Sequence, residues 1–201
     1  MTTKDAINIC DVAPRDGFQV VKTWIPTETK VSIVEGLARA GLKHFETGAF
    51  VSPKHVPQMA DTVDVHKAAK VGDDVRLTAL VPNLRGAKNA FDAGIGDIAY
   101  VFSASESHNK KNVNRSVDES LQGFREIADI AGKNNIPIQG DIATAFGCPF
   151  EGNISPKKLA DISKEYKQMG FKGVTLGDTT GMATPVVVKD AIKSIRDNVP
   201  G

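Results

Sequence analysis

The sequence predicts an α/β fold, a TIM (βα)8 barrel of which this chain carries about six βα units. Three observations point there. Short β-rich runs recur along the 201 residues, each followed by a segment of helical character. No strand is followed by a GxGxxG or GxxxxGKS/T loop, the phosphate cradles of open doubly wound sheets. Polar and ionisable residues stand at or just past the C-terminal end of strand after strand: Arg15 and Asp16, Glu46, Asn83, Ser103 to Glu106, Thr144 and Asp178. In a barrel those ends converge on one mouth, where reactive groups collect.

The expected strands are Ile7 to Val12, His44 to Phe50, Val75 to Val81, Asp97 to Phe102, Ile136 to Ala143 and Gly173 to Leu176. The first helix opens at Pro26-Thr27-Glu28. It repeats Val31, Val34, Leu37 and Ala38 at the three-and-four spacing of one apolar face and stops at Gly41. Similar helices are expected over Asn83 to Ala93, Ser116 to Lys133, Ser155 to Met169 and Pro185 to Asp197. Ser155-Pro156 and Thr184-Pro185 each set a capping hydroxyl ahead of a Pro at the first helical position. A closed barrel needs eight strands and usually about 250 residues. The chain stops at Val199-Pro200-Gly201, where a seventh strand is due. The expectation is a single catalytic barrel domain over residues 1–201, truncated before strand 7 and belonging to a longer protein.

Composition excludes other classes. With 25 Lys and Arg against 24 Asp and Glu, the net charge of +1 gives no steering toward nucleic acid or an anionic membrane. No apolar run approaches the ~20 residues of a membrane span, and Met1-Thr2-Thr3-Lys4-Asp5 lacks the apolar stretch of a signal peptide, so a cytoplasmic protein is expected. Cys10, expected in a buried strand, and Cys148, expected in a loop, have neither metal-ligand nor disulfide spacing and read as inert thiols. His44, His55, His66 and His108 form no HxH or HxxxH pair and read as surface residues.

The segment Asp11-Val12-Ala13-Pro14-Arg15-Asp16-Gly17-Phe18-Gln19 places a permanent cation beside a carboxylate at a strand end, in a turn framed by Pro14 and Gly17. Taken alone, such a pair is usually a solvated surface contact contributing under ~1 kcal/mol. Asp178, in Gly177-Asp178-Thr179-Thr180-Gly181, reads alone as a turn cap. Glu46 reads alone as a strand-end charge and Lys110-Lys111-Asn112 as a solvated basic loop.

Six segments read together carry more. DVAPRDGFQ, ETGAFVSPKHVPQMAD at 46–61, VPNLRG at 81–86, SASESHNKKNVNRSVDESL at 103–121, GCPFEGNISP at 147–156 and LGDTTGMATP at 176–185 together resemble the 3-hydroxy-3-methylglutaryl-CoA lyase family. That family belongs to the metal-dependent TIM-barrel superfamily that also holds isopropylmalate synthase and pyruvate carboxyltransferase domains. The resemblance covers essentially the whole chain, in order. It implies retro-Claisen cleavage of 3-hydroxy-3-methylglutaryl-CoA to acetyl-CoA and acetoacetate, assisted by a divalent cation, Mg2+ or Mn2+. By match to the family motif, Asp16 is the expected metal ligand. Arg15 is expected to hold the developing enolate oxygen, and Glu46 and Asp178 match the family's other two active-site acids. Gln19, Asn83, Ser105, Lys111 and Asn112 are candidate contacts to the acyl-CoA substrate. The implied partner is that thioester, with no nucleic acid and no membrane, and a homodimer is left open as the assembly.

The chain departs from the family pattern in places. The family continues its Arg-Asp motif with Leu-Gln-Asn-Glu, where this chain has Phe18-Gln19-Val20-Val21, and Asp141 follows Gly140 where the family has an aromatic residue. Both positions border the expected acyl pocket. The family's His-x-His metal ligands on the seventh strand and the reactive Cys of the eighth have no counterpart in these residues, and Cys148 matches a different family segment. Two other readings stay open. One is a related aldolase or Claisen-type enzyme acting on another 3-hydroxyacyl-CoA or a 2-oxo acid. The other is a non-catalytic CoA-binding remnant.

Overall fold

The computed structural model describes residues 7–199; the Met1 to Asp5 run and the terminal Pro200-Gly201 lie outside the described residues. The fold is α/β, a partial TIM barrel of parallel strands that follow one another in chain order. The chain divides into two compact units, one running to Val81 and including Gly86–Ile98, the other comprising Pro82–Arg85 and the chain from Ala99 on.

In the first unit, β1 (Cys10–Asp11), β2 (His44–Ala49) and β3 (Arg76–Val81) pair in parallel, with Cys10 opposite His44 and Glu46 opposite Thr78. The crossovers are α1 (Thr27–Arg39) and α2 (Thr62–Ala68). Their apolar faces meet β2 where Val34, Phe45 and Val65 are fully buried, flanked by Val31, Leu37, Leu42 and Leu77. Burying each such side chain stabilises the unit by roughly 1.5–3 kcal/mol. Most of α3 (Leu84–Asp92) also belongs here, burying Ala87 and Ala90.

The second unit carries β4 (Ile98–Ser103) from Ala99 on, β5 (Ile138–Ala143) and β6 (Val174–Leu176), with α4 (Glu106–Val113), α5 (Val117–Lys133), α6 (Pro156–Gln168) and α7 (Pro185–Asn198). Its core is aromatic. Phe124 stacks on Tyr166 at 4.7 Å between centroids, Tyr166 stacks on Phe171 at 4.9 Å, and Phe102 meets Phe124 edge-on at 5.2 Å. Gly140 of β5 makes room for this, since a Cβ there would sit 2.3 Å from the Tyr166 ring. Local signals place the helices: Ser116 and Glu119 form a reciprocal capping box, and Ser155 and Thr184 cap α6 and α7 ahead of Pro156 and Pro185.

Three expectations need correction. The first strand is shorter than Ile7 to Val12, because only Cys10 and Asp11 find ladder partners on β2, and Cys10 is exposed rather than buried. Glu46 is the third residue of β2, not its end; the register shifts between Glu46 and Gly48, and pairing continues to Ala49. Lys110, Lys111 and Asn112 lie on α4, not in a loop, because Ser105 caps that helix, Glu106 and the two lysines match its dipole, and Asn114 at φ 55° stops it.

Candidate active site

The Arg-Asp segment folds as a single π-helical turn, Ala13–Gly17. Asp11 starts it by accepting the Ala13 N–H at 2.8 Å, and the Val12 carbonyl accepts the N–H groups of Arg15 at 3.1 Å and Asp16 at 2.6 Å. Pro14 packs inside, and the two charged neighbours leave the same wide turn. Arg15 then reaches β2. Its Nε and Nη2 both lie 2.7 Å from Glu46 Oε2, while its Nη1 donates to Asp16 Oδ1 at 2.6 Å. Gln19 donates its amide to the same Asp16 oxygen at 2.7 Å.

Burial grades this set. Glu46 and Arg15 side chains are 10% and 17% exposed, whereas Asp16 is 53% exposed and its Oδ2 takes no hydrogen bond among the described residues. The irregularity in β2 next to Glu46 is of the kind that re-aims a side chain beside a reactive site. The first unit therefore brings together Arg15, Asp16, Gln19 and Glu46, a guanidinium fixed between two carboxylates with one carboxylate oxygen left open.

The remaining candidates belong to the second unit. Asp178, just past β6, is exposed; its Oδ1 accepts the N–H groups of Met182 and Ala183 at 2.9 and 3.1 Å. Loops after β5 and β6 are stitched together around it: the Thr144 N–H donates to Thr179 Oγ1 at 3.0 Å and Thr180 Oγ1 donates to the Gly147 carbonyl at 2.9 Å. Thr144 is fully buried at φ 54°, a conformation costly for a β-branched residue. Its hydroxyl lies 2.5 Å from that of Ser103.

Ser105 is fully buried and accepts the His108 N–H at 3.1 Å as the cap of α4. Lys111 and Asn112 are exposed, with Lys111 Nζ 4.9 Å from the centre of the Phe150 ring, and Asn83 is partly buried at the start of α3. Burial pushes the Cys148 thiol up, but hydrogen bonding with Ser105 and with the Phe150 and Glu151 N–H groups outweighs it and holds the thiol below its ordinary value.

Asn109 has the most connections in this region and is hidden in the polar run His108-Asn109-Lys110. It is buried and accepts the Ser103 N–H. Its amide donates to the Arg115 and Ser116 carbonyls and to Ser120 Oγ at 2.8–3.0 Å, fixing the turn between α4 and α5. The one advance signal is an Asn inside a helix of otherwise solvated residues, a position where its propensity is poor. Among the described residues no three His, Cys, Asp or Glu gather as a metal-binding group. No helix among them is long and apolar enough to cross a membrane.

Residues 6–201 match the HMGL-like family. The chain is 40% identical over 199 residues to the mitochondrial hydroxymethylglutaryl-CoA lyase of Homo sapiens, covering 99% of this chain and 61% of that protein. It is 40% identical over 194 residues to the cytoplasmic 3-hydroxy-3-methylglutaryl-CoA lyase of Rattus norvegicus, covering 96% and 57%. It is similar, at a TM-score of 0.90 and 36% identity over 96% of this chain and 63% of the other, to an HMG-CoA lyase of Acinetobacter baumannii solved with coenzyme A and 3-methylmalate. The chain spans about three fifths of the length of these relatives.

Proposed function

The chain belongs to the HMGL-like family, and from that premise we propose that it serves metal-dependent retro-Claisen cleavage of 3-hydroxy-3-methylglutaryl-CoA to acetyl-CoA and acetoacetate. The observation that carries this reading is Arg15, fixed by Glu46 and lying beside a half-exposed Asp16. Cleaving the C2–C3 bond requires the tertiary hydroxyl to lose its proton and the thioester enolate to be held. A hard divalent cation, Mg2+ or Mn2+, supplies Lewis acidity at that hydroxyl when bound. Asp16 fits one corner of such a site: it is a carboxylate with an open oxygen, accessible to solvent. The residues of this chain take the following parts. Arg15, permanently charged and held in place in advance, donates to the enolate oxygen as charge develops there. Glu46 keeps the guanidinium aimed. In the second unit, Asp178, an exposed carboxylate whose Oδ2 takes no hydrogen bond among the described residues, is proposed to take part in proton transfer.

Within the second unit, the anionic tail of the acyl-CoA is assigned to the exposed Lys111 and Asn112 on α4, with Asn83 as a further contact. Ser105, fully buried as the cap of α4, sets that helix in place, and in the first unit Gln19 is proposed as a contact to the substrate. That the ligand is an acyl-CoA, rather than which residues hold it, is supported by the coenzyme A complex of the Acinetobacter relative. The cytoplasm is the proposed compartment, a reading that the cytoplasmic rat relative supports and the mitochondrial human relative of equal identity does not. A second reading, cleavage of a different 3-hydroxyacyl-CoA, is favoured by one feature: Asp141 stands in β5 where the family resemblance implies an aromatic residue. Turnover by the intact gene product of a panel of 3-hydroxyacyl-CoA and 2-oxo acid substrates, with Mg2+ or Mn2+ and then EDTA, tests both. Preference for the methylglutaryl thioester supports the first reading, and CoA binding without turnover of any member sinks both.

A further inference from the structure

The segment from Phe18 to Pro26, which leaves the Arg15-Asp16 turn and enters α1, is in neither helix nor strand for most of its length, yet several of its backbone groups find partners in the protein. One side chain satisfies three of them. Gln58 donates through Nε2 to the carbonyls of Val21 at 2.9 Å and Thr23 at 2.6 Å, and its Oε1 accepts the Ile25 N–H at 3.2 Å. Backbone groups of three alternate residues, Val21, Thr23 and Ile25, are thus bonded by one amide side chain, which supplies both donors and an acceptor. Gln58 is itself 4% exposed.

Behind it sits a buried cation. Lys30, 2% exposed, donates to the Gln58 carbonyl at 2.6 Å and to Asp61 Oδ1 at 2.7 Å, and its ammonium lies 4.0 Å from the centre of the Trp24 ring. Asp61 spends its other oxygen on Thr27 Oγ1, which donates at 2.8 Å. Each polar atom of Gln58 and each carboxylate oxygen of Asp61 has a partner, so these residues form a closed network around the segment.

The network ends next to the site. Val21, whose carbonyl Gln58 holds, donates its own N–H to the Phe18 carbonyl at 3.0 Å, closing a turn that contains Gln19. Gln19 is the residue whose amide reaches Asp16. We propose that Gln58, backed by the Lys30–Asp61 ion pair, is a positioning residue that fixes the Phe18 to Pro26 segment and, through it, the Gln19–Asp16 hydrogen bond. It touches neither reacting atoms nor the metal ligand. The proposal rests on the reading above only in giving Asp16 its role as metal ligand.

The test is Gln58→Met in the intact gene product, which removes all three bonds while keeping length and adding no charge. Amide exchange and side-chain amide NMR read the result, and Trp24, the chain's single tryptophan, reports fluorescence beside Lys30. The expected result is exchange of the Ile25 amide faster by at least about tenfold, as for the loss of the one hydrogen bond that this amide makes. A changed Trp24 emission and loss of the hydrogen-bonded Gln19 side-chain amide resonance should accompany it, with Val34 and Phe45 still protected. Unchanged Ile25, Trp24 and Gln19 signals would overturn the proposal. So would an equal loss of protection at Val34 and Phe45, which would make Gln58 a general stabiliser. Should Gln58→Met not fold, Gln58→Asn retracts the amide by one methylene and is read by the same signals. None of these readouts uses metal or acyl-CoA, so their failure is separable from failure of the proposed reaction.

Discussion

Arg15 places two of its nitrogens, Nε and Nη2, on one oxygen of Glu46, each at 2.7 Å, and turns its third nitrogen to Asp16. A guanidinium held by two bonds from a mostly buried carboxylate loses little orientational freedom when a substrate arrives. The aim of Arg15 is thus set by β2, while Asp16 stays half-exposed.

That division separates the two neighbours in function. Asp16→Asn should weaken binding of Mg2+ or Mn2+ with a smaller direct effect on the chemical step. Arg15→Gln should leave metal affinity nearly intact and lower kcat by roughly 10²–10³-fold, the range for removing one donor to a developing oxyanion. Titration calorimetry beside steady-state kinetics checks this, and equal loss of metal affinity in both variants contradicts the separate roles.

Glu46→Gln tests the positioning of Arg15 directly. The neutral amide keeps the volume but loses a charge-assisted bond, so stability should fall by about 1.5–3 kcal/mol. In kinetics kcat should drop with KM little changed, since Glu46 acts through Arg15. Urea unfolding and initial-rate measurements report the two effects separately.

Asp61→Asn leaves the Lys30 ammonium buried without its counter-charge and should cost about 3–5 kcal/mol. The double variant Lys30→Met with Asp61→Leu, which removes both charges, should recover most of that loss. A double variant as unstable as Asp61→Asn would show that packing, not charge, decides the site.

Gly140→Ala places a methyl group 2.3 Å from the Tyr166 ring, inside the stack that Tyr166 forms with Phe124 and Phe171. The overpacked core should lose about 1–3 kcal/mol or more. Gly173→Ala, where a Cβ meets nothing within 4 Å, is the matched control and should be near neutral by comparison in the same thermal melts.

Acid should destabilise the folded chain through two histidines. Burial, then the Arg76 guanidinium, holds His44 below the ordinary imidazole value of 6.5 against the pull of Asp97 and Glu46; burial likewise holds His66 down against Asp97. The unfolded chain therefore binds these protons first as pH falls. Stability from this source is complete above about 6.5 and is lost as pH drops through the lowered folded values. The urea midpoint should fall below pH 6.5, and His66→Asn should flatten that slope.

What could be read from the sequence depended on how local the cause was. The Ser155-Pro156 and Thr184-Pro185 starts are fixed by hydroxyls and prolines within three residues of the bonds they make, so they were legible. The Arg15, Asp16 and Glu46 set was legible only through six matching segments, since nothing about an Arg-Asp pair marks it as buried against a strand. The π turn at Ala13–Gly17 and the true length of β1 depend on which backbone groups find partners, and no composition signal carries that. Lys30, Gln58 and Asp61 escaped notice because their bonds span about thirty residues; each alone looks like an ordinary surface residue. The helix α4 was hidden because Lys110, Lys111 and Asn112 leave it almost without an apolar face.

The most direct test of the proposed reaction is acetoacetate release from 3-hydroxy-3-methylglutaryl-CoA by the intact gene product, with Mg2+ and with EDTA, alongside Arg15→Gln. The expected result is metal-dependent release at equal yields of acetoacetate and acetyl-CoA, abolished by EDTA and reduced by roughly 10²–10³-fold in the Arg15 variant. No release by a folded protein saturated with Mg2+ or Mn2+, or release unaffected by loss of Arg15, would contradict it.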